Sequence, residues 1–111
     1  MRSMQRILKD FGTGLARVAS PCYHYWRMKE ETPYCIWQED GEENSFNAGN
    51  RKTEQQIHGT VDYFTRTEYD PTIDDIQDYF DGIDNFGWRL LSVQYEDETN
   101  IIHYEWEWWM I

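Results

Sequence analysis

The last eleven residues read Ile-Ile-His-Tyr-Glu-Trp-Glu-Trp-Trp-Met-Ile, with Ile102, Tyr104, Trp106, Trp108 and Met110 at every second position. His103, Glu105 and Glu107 fall between them. A side-chain period of two is that of a β-strand with one dry and one wet face, and no helical wheel gathers those five residues on one side. Each buried Trp or Tyr removes about 150–250 Å² from water, roughly 4–6 kcal/mol apiece as an upper bound. Ordering a backbone residue costs about 1–2 kcal/mol, so this segment is expected to be a central strand of the core.

The same pattern divides the rest of the chain. Met4, Ile7, Leu8, Phe11, Leu15 and Val18 have amphipathic-helix spacing, with Arg2, Arg6, Lys9 and Arg17 on the opposite face. Gly12 and Gly14 weaken the second half, so this helix is expected to stop near Phe11 or fray on to Ala19. Cys22–Trp26 and Tyr34–Gln38 read as two strands joined by a polar turn, a hairpin that brings Cys22 near Gln38. Residues 54–67 predict a long strand, with Ile57, Gly59, Val61 and Tyr63 on one face and His58, Thr60 and Asp62 on the other. Asp70-Pro71 is a helix start, Ile73, Ile76, Phe80 and Ile83 place an apolar stripe on that helix, and Gly82 is its expected C-cap. Trp88–Glu96 and the turn at 97–100 complete a hairpin with the final strand.

The expected fold is a single α+β domain over residues 1–111: a mostly antiparallel sheet of about five strands packed against two helices, in the order α-β-β-β-α-β-β. Between strands 2 and 3, residues 40–53 lack periodicity and have Phe46 as their only apolar anchor. They are expected to be a long flexible loop, mobile in the free subunit.

Charge narrows the partners. The chain carries a formal −11. Residues 1–20 hold four bases against one acid, and the remainder holds six bases against twenty acids. Such a body repels DNA and anionic membranes. No apolar run is long enough for a transmembrane helix, and the N-terminus lacks the h-region of a signal peptide. Cys22 and Cys35 are expected as free thiols that do not face each other in the hairpin register, which argues against a disulfide.

Chemistry is sparse. No nucleophile elbow, phosphate loop, zincin helix or paired CxxC motif occurs. His24, His58 and His103 fall on three different expected strands and read as ordinary strand-face residues rather than zinc ligands. Asp74, Asp75 and Asp78 suit the dipole of a helix N-terminus, and Glu96-Asp97-Glu98 suits a solvated hairpin tip; neither has the spacing of a calcium loop. No enzyme, cofactor or metal is expected.

Several stretches together resemble the small tail-completion, or tail-to-head joining, proteins of long-tailed bacteriophages. They are Pro33-Tyr34-Cys35-Ile36-Trp37-Gln38, Gly59-Thr60-Val61-Asp62-Tyr63-Phe64 with the helix Asp70 to Phe80, and Tyr95-Glu96-Asp97-Glu98-Thr99 leading into His103-Tyr104-Glu105-Trp106. Each is a strand or helix signal without a catalytic residue, so the likeness lies in the ensemble and its order. The aromatic tail is heavier than that likeness suggests.

The resemblance implies a virion protein of the tail or neck, virus- or prophage-encoded and assembled in the bacterial cytoplasm. Copies would form a ring, a hexamer, that terminates the tail tube, meets the tube and head-connector proteins, and lets DNA pass without specific binding. Ring contacts are heterologous. The charge split then suggests that Arg2, Arg6 and Lys9 meet an acidic surface of the neighbouring copy. Phe46, Arg51 and Lys52 would order with their loop against the tail tube, and Trp109, which breaks its strand's alternation, is a candidate oligomer contact. Two rivals are an acidic DNA-mimic inhibitor of a host enzyme and a small-molecule binding domain using exposed aromatics.

Overall fold

The computed structural model describes residues 3–28, 31–48 and 51–110, and of residues 43–48 and 51–54 the backbone alone. The elements are α1 (Met4–Val18), β1 (Cys22–His24), β2 (Tyr34–Ala48), β3 (Arg51–Thr65), α2 (Thr72–Asp81), β4 (Phe86–Glu96) and β5 (Ile101–Met110). The five strands form one sheet in the order β1-β2-β3-β5-β4, mostly antiparallel, with both helices packed on one face. This is the α+β architecture and element order that the sequence pattern predicts.

β5 is an interior strand, paired antiparallel with β3 from Ile57↔Met110 to Thr65↔Ile102 and with β4 from Phe86↔Met110 to Glu96↔Ile101. Its alternation is realised in space. Trp106 and Trp108 are fully buried against the helices, while Glu105 and Glu107 lie on the other face. Facing them, Val61 and Tyr63 of β3 and Phe11 and Phe80 of the helices close the core. Phe11 is its hub, with its ring 5.1 Å from Trp108 and 5.3 Å from Trp37.

α1 does not end at its glycines; it runs through Gly12 and Gly14 to Val18, with Ser3 accepting from the Arg6 N–H as its cap. The glycines trade propensity for proximity. A Cβ on Gly12 would lie 2.4 Å from the Trp37 ring, and one on Gly14 would lie 2.3 Å from the Tyr79 hydroxyl. Through that gap the Tyr79 hydroxyl donates to the Phe11 carbonyl at 2.7 Å, tying α2 to α1. Burial pushes the Tyr79 phenol up to about 12.

α2 begins one residue later than Asp70-Pro71 alone implies, but Asp70 still organises its start. Its carboxylate accepts from the Thr72 N–H at 2.9 Å, the Tyr63 hydroxyl at 2.8 Å and the buried Thr65 hydroxyl at 2.8 Å. Partial burial pushes this carboxyl up, and the hydrogen bonds from Thr72, Thr65 and Tyr63 outweigh it and hold it below its ordinary value of 3.8.

Two expectations are corrected. Within the segment 40–53 expected as a loop, residues 40–48 and 51–53 are strand: β2 and β3 run through them as an antiparallel ribbon whose ladder continues to Ala48↔Arg51, with irregularities between Glu39 and Gly41, Glu43 and Phe46, and Phe46 and Asn47. The reason is that β5 stops at the level of Ile57, so beyond it the ribbon has no third strand among the described residues, and its sequence, polar at nearly every position, writes no period of two. The molecule is correspondingly long, 55 × 25 × 23 Å.

Nor is the first strand pair a hairpin. β1 is three residues long and pairs with β2 in parallel, with Cys22↔Cys35, Tyr23↔Ile36 and His24↔Trp37 as register partners. Tyr25 takes a left-handed φ of 78° and ends the strand early, leaving Tyr25 and Trp26 exposed. The two cysteines therefore do face each other. Both are free thiols.

Candidate interaction surface

The helices cover one face of the sheet; the other face lies open, and the strand registers place its side chains in rows. The first row is Tyr34, Phe64, His103 and Gln94, and the next is Ile36, Asp62, Glu105 and Ser92. Then come Gln38, Thr60, Glu107 and Arg89, followed by His58, Trp109 and Gly87. Two carboxylates on this face are engaged: Asp62 Oδ1 lies 2.7 Å from His103 Nε2, and Glu107 Oε1 lies 2.7 Å from the Arg89 guanidinium.

At one end three rings stack, Tyr34 on Phe64 at 4.5 Å and Phe64 on His103 at 4.2 Å. The Arg27 guanidinium sits 5.4 Å from the Tyr34 ring centre and donates to the Tyr34 hydroxyl at 2.7 Å. Arg66 donates to the Thr99 carbonyl and the Thr32 hydroxyl, both at 2.8 Å, which fastens the β4–β5 turn to the start of β2. Arg27, Tyr34, Phe64, Arg66, Thr99 and His103 line an open depression of about 610 Å³. Planar rings and guanidinium groups favour aromatic and acidic partners by stacking and charge. Among the described residues there, the Tyr34 hydroxyl accepts from Arg27 and the Tyr95 hydroxyl donates to Asn100 Oδ1, so neither is joined to a base of the kind nucleophilic catalysis requires.

The sheet also presents edges. β4 pairs with β5 on one side and with no strand among the described residues on the other. β1 covers β2 only at Cys35–Trp37, leaving the rest of that long strand's outer edge open among the described residues. Along β4, Leu90, Leu91, Val93 and Tyr95 are 40–59% exposed. Val93 and Tyr95 share register with Tyr104 and Ile102, so they continue the apolar face beyond the reach of α2. A long unpaired edge with apolar side chains is a template for strand addition.

The residues singled out from sequence scatter. Arg2 lies outside the described residues. Arg6 and Lys9 are exposed on α1, and Lys9 borders a groove between α1 and β1. Phe46, Arg51 and Lys52 have their backbones in the ribbon, in register with Glu54, Ala48 and Asn47, while their side chains lie outside the described residues. Trp109 is 38% exposed on the open face, its ring pressed on Gly87, where a Cβ would lie 2.2 Å away.

The structure does not bring these residues together. His24 pairs with Glu39 on the helix-covered side at 2.9 Å, whereas His58 and His103 lie on the open face. No group of three or more His, Cys, Asp or Glu positioned for a metal occurs among the described residues. Sequence reasoning missed the ring stack and the β4 edge. Phe64 was the visible signal of the first, as the residue that breaks its strand's alternation. Comparison with known proteins finds no protein-family model and no curated protein that matches this chain.

Proposed function

We propose that the chain is a non-enzymatic structural subunit that works by edge-to-edge assembly with its own copies. The supporting observation is the pair of open sheet edges, the long apolar β4 on one flank and the outer edge of β2 on the other. Two different edges joined head to tail give a heterologous contact, and a heterologous contact that closes is a ring. The resemblance then suggests the place of that ring: a hexamer in a bacteriophage virion that terminates the tail tube and joins it to the head connector, with the β2–β3 ribbon reaching the tube. An acidic wall, from a formal −11 per copy, would let DNA pass without adhering. Screening confines that effect to about 8 Å, so only carboxylates facing the channel matter.

Native mass spectrometry or light scattering, on the protein alone and with tail-tube protein, tests this reading. A closed six-fold species supports it. Persistent monomer in both samples overturns it and favours the DNA-mimic inhibitor, which competition with DNA for a nuclease would then identify. The basic face of α1 supplies a finer test. Reversing Arg6 and Lys9 to Glu is expected to weaken assembly about tenfold and flatten its salt dependence. Assembly unchanged in both respects would remove this face from the contact.

A further inference from the structure

The parallel pairing of β1 with β2 places two thiols side by side. Cys22 and Cys35 are register partners. Adjacent strands are about 4.8 Å apart, inside the roughly 4.4–6.8 Å window of Cα separations that a disulfide spans. Partners in register project to the same face, here the helix-covered one, since Cys35 is fully buried in the core. A hydrogen bond with the Cys22 side chain, followed by burial, raises the Cys35 thiol well above its ordinary value, as expected of sulfurs in contact. Cys22 is only half-buried. It borders the groove of about 600 Å³ between α1 and β1, with Lys9, Gly12 and Thr13 among its neighbours. One thiol thus meets solvent and the other waits behind it.

We propose that Cys22 and Cys35 are an oxidation site, a dithiol that a small-molecule disulfide converts into an intramolecular disulfide clamping β1 to β2. The Cys22 thiolate attacks one sulfur of the small disulfide, forming a mixed disulfide and releasing one thiolate, which takes up a proton. Cys35 then gives its proton to solvent, and its sulfur attacks the Cys22 sulfur, releasing the second small thiol. Protein dithiol and one small disulfide become protein disulfide and two small thiols, with electrons and protons balanced.

The consequence is local. β1 is the shortest strand, and beyond its three-residue register it is held by the Cys35 N–H to the Pro21 carbonyl and the Tyr25 N–H to the Trp37 carbonyl, both at 2.9 Å. It is the strand most easily lifted off. The bond makes its attachment covalent and keeps the β2 edge at Cys35–Trp37 covered. None of this depends on the assembly role proposed above.

The test is incubation of the full chain with oxidised glutathione, followed by intact mass and by alkylation after denaturation. The expected product has the covalent mass of a single chain, lighter by two hydrogens, carries no glutathione and has no alkylatable thiol. Its melting temperature rises by roughly 10 °C, as for a closed loop of this length, and falls back on reduction with dithiothreitol. The Cys35→Ser variant should stop at a glutathione adduct on Cys22. Cys22→Ser alters only a half-buried side chain and keeps the test open if Cys35→Ser does not fold; its Cys35 should stay reduced. A persistent adduct in the wild type, a disulfide-linked dimer, two free thiols at equilibrium, or glutathione on Cys35 in the Cys22→Ser variant would each overturn the proposal.

Discussion

β5 and the β2–β3 ribbon are both extended chain, yet they are held in different ways. β5 has a strand on either side and helices above, and Trp106 and Trp108 are fully buried. The ribbon has two strands and, past Ile57, no third strand among the described residues. In β5 the stabilising term is apolar area removed from water, which scales with the side chains. In the ribbon it is backbone hydrogen bonding, which is worth little net against water and depends little on which residues are present. Substitution should therefore have large effects in the first region and small ones in the second.

The largest effect belongs to Trp106. It is fully buried, packs edge-on against Phe80 at 5.9 Å and donates from its indole to Gln77 at 3.1 Å. Trp106→Ala removes the area, leaves a cavity and orphans Gln77, for an expected loss of about 3–5 kcal/mol in urea denaturation. A loss below about 1 kcal/mol would mean that β5 is not the core strand described here.

Next comes the joint between the two regions. Gly59 lies in β3, where a Cβ would meet the Gln38 carbonyl at 2.1 Å and the Trp108 ring at 2.4 Å. The first of these is backbone and cannot swing away. Gly59→Ala should cost about 2–3 kcal/mol by forcing β2 and β3 apart. Amide exchange should then quicken from Gln38 outward, which would show that the ribbon is anchored at this point.

The same contrast explains what was legible in the sequence. Burial on one face writes a period of two or 3.6 into the residues, and β5, the core of β3, α1 and α2 could be read from it. The ribbon's sequence is polar at odd and even positions alike, so its pattern is silent. Its one cue is Gly49-Asn50 between the paired positions Ala48 and Arg51, a dipeptide favoured in two-residue hairpin connections. The direction of β1 was also hidden, because alternation fixes which face a residue takes and says nothing about whether a neighbour runs parallel or antiparallel. An antiparallel pairing would separate the two cysteines, and the parallel register brings them together. The glycines of α1 misled for a related reason: propensity counts their cost, and only the packed structure shows Trp37 and Tyr79 occupying the space they leave. The surface features, the ring stack and the β4 edge, depend on register between distant strands, which no local pattern carries.

A smaller effect, with a pH signature, separates core burial from polar bracing. Asp70→Asn removes a charged acceptor from Tyr63, Thr65 and Thr72, at an expected cost of about 1–2 kcal/mol at pH 7. Because the carboxyl of Asp70 is held below 3.8 in the fold, its contribution is full above that value and is lost as pH falls through the folded value. The gap between wild type and Asp70→Asn, followed by urea midpoints from pH 7 down to pH 2, should stay constant to about pH 5 and then close. A gap that widened toward acid would reverse the sign of the shift.

The smallest effect on stability is expected where the effect on function should be greatest. Glu42 and Ile57 are register partners, so deleting residues 43–48 and 51–56 joins them through the native Gly49-Asn50 pair as a two-residue turn. The shortened chain keeps the whole helix-covered core and the β3–β5 ladder from Ile57 onward. Its unfolding free energy should change by no more than about 0.5 kcal/mol, since the lost segments carry few apolar residues and loop closure varies slowly with length. Co-assembly with tail-tube protein, by contrast, should disappear, because under the proposed function the ribbon supplies that contact. If the shortened protein unfolded more easily by several kcal/mol, the ribbon would belong to the core, and the distinction between the two regions would fail. If it folded and still joined the tube, the contact would have to lie on the open face or the sheet edges instead.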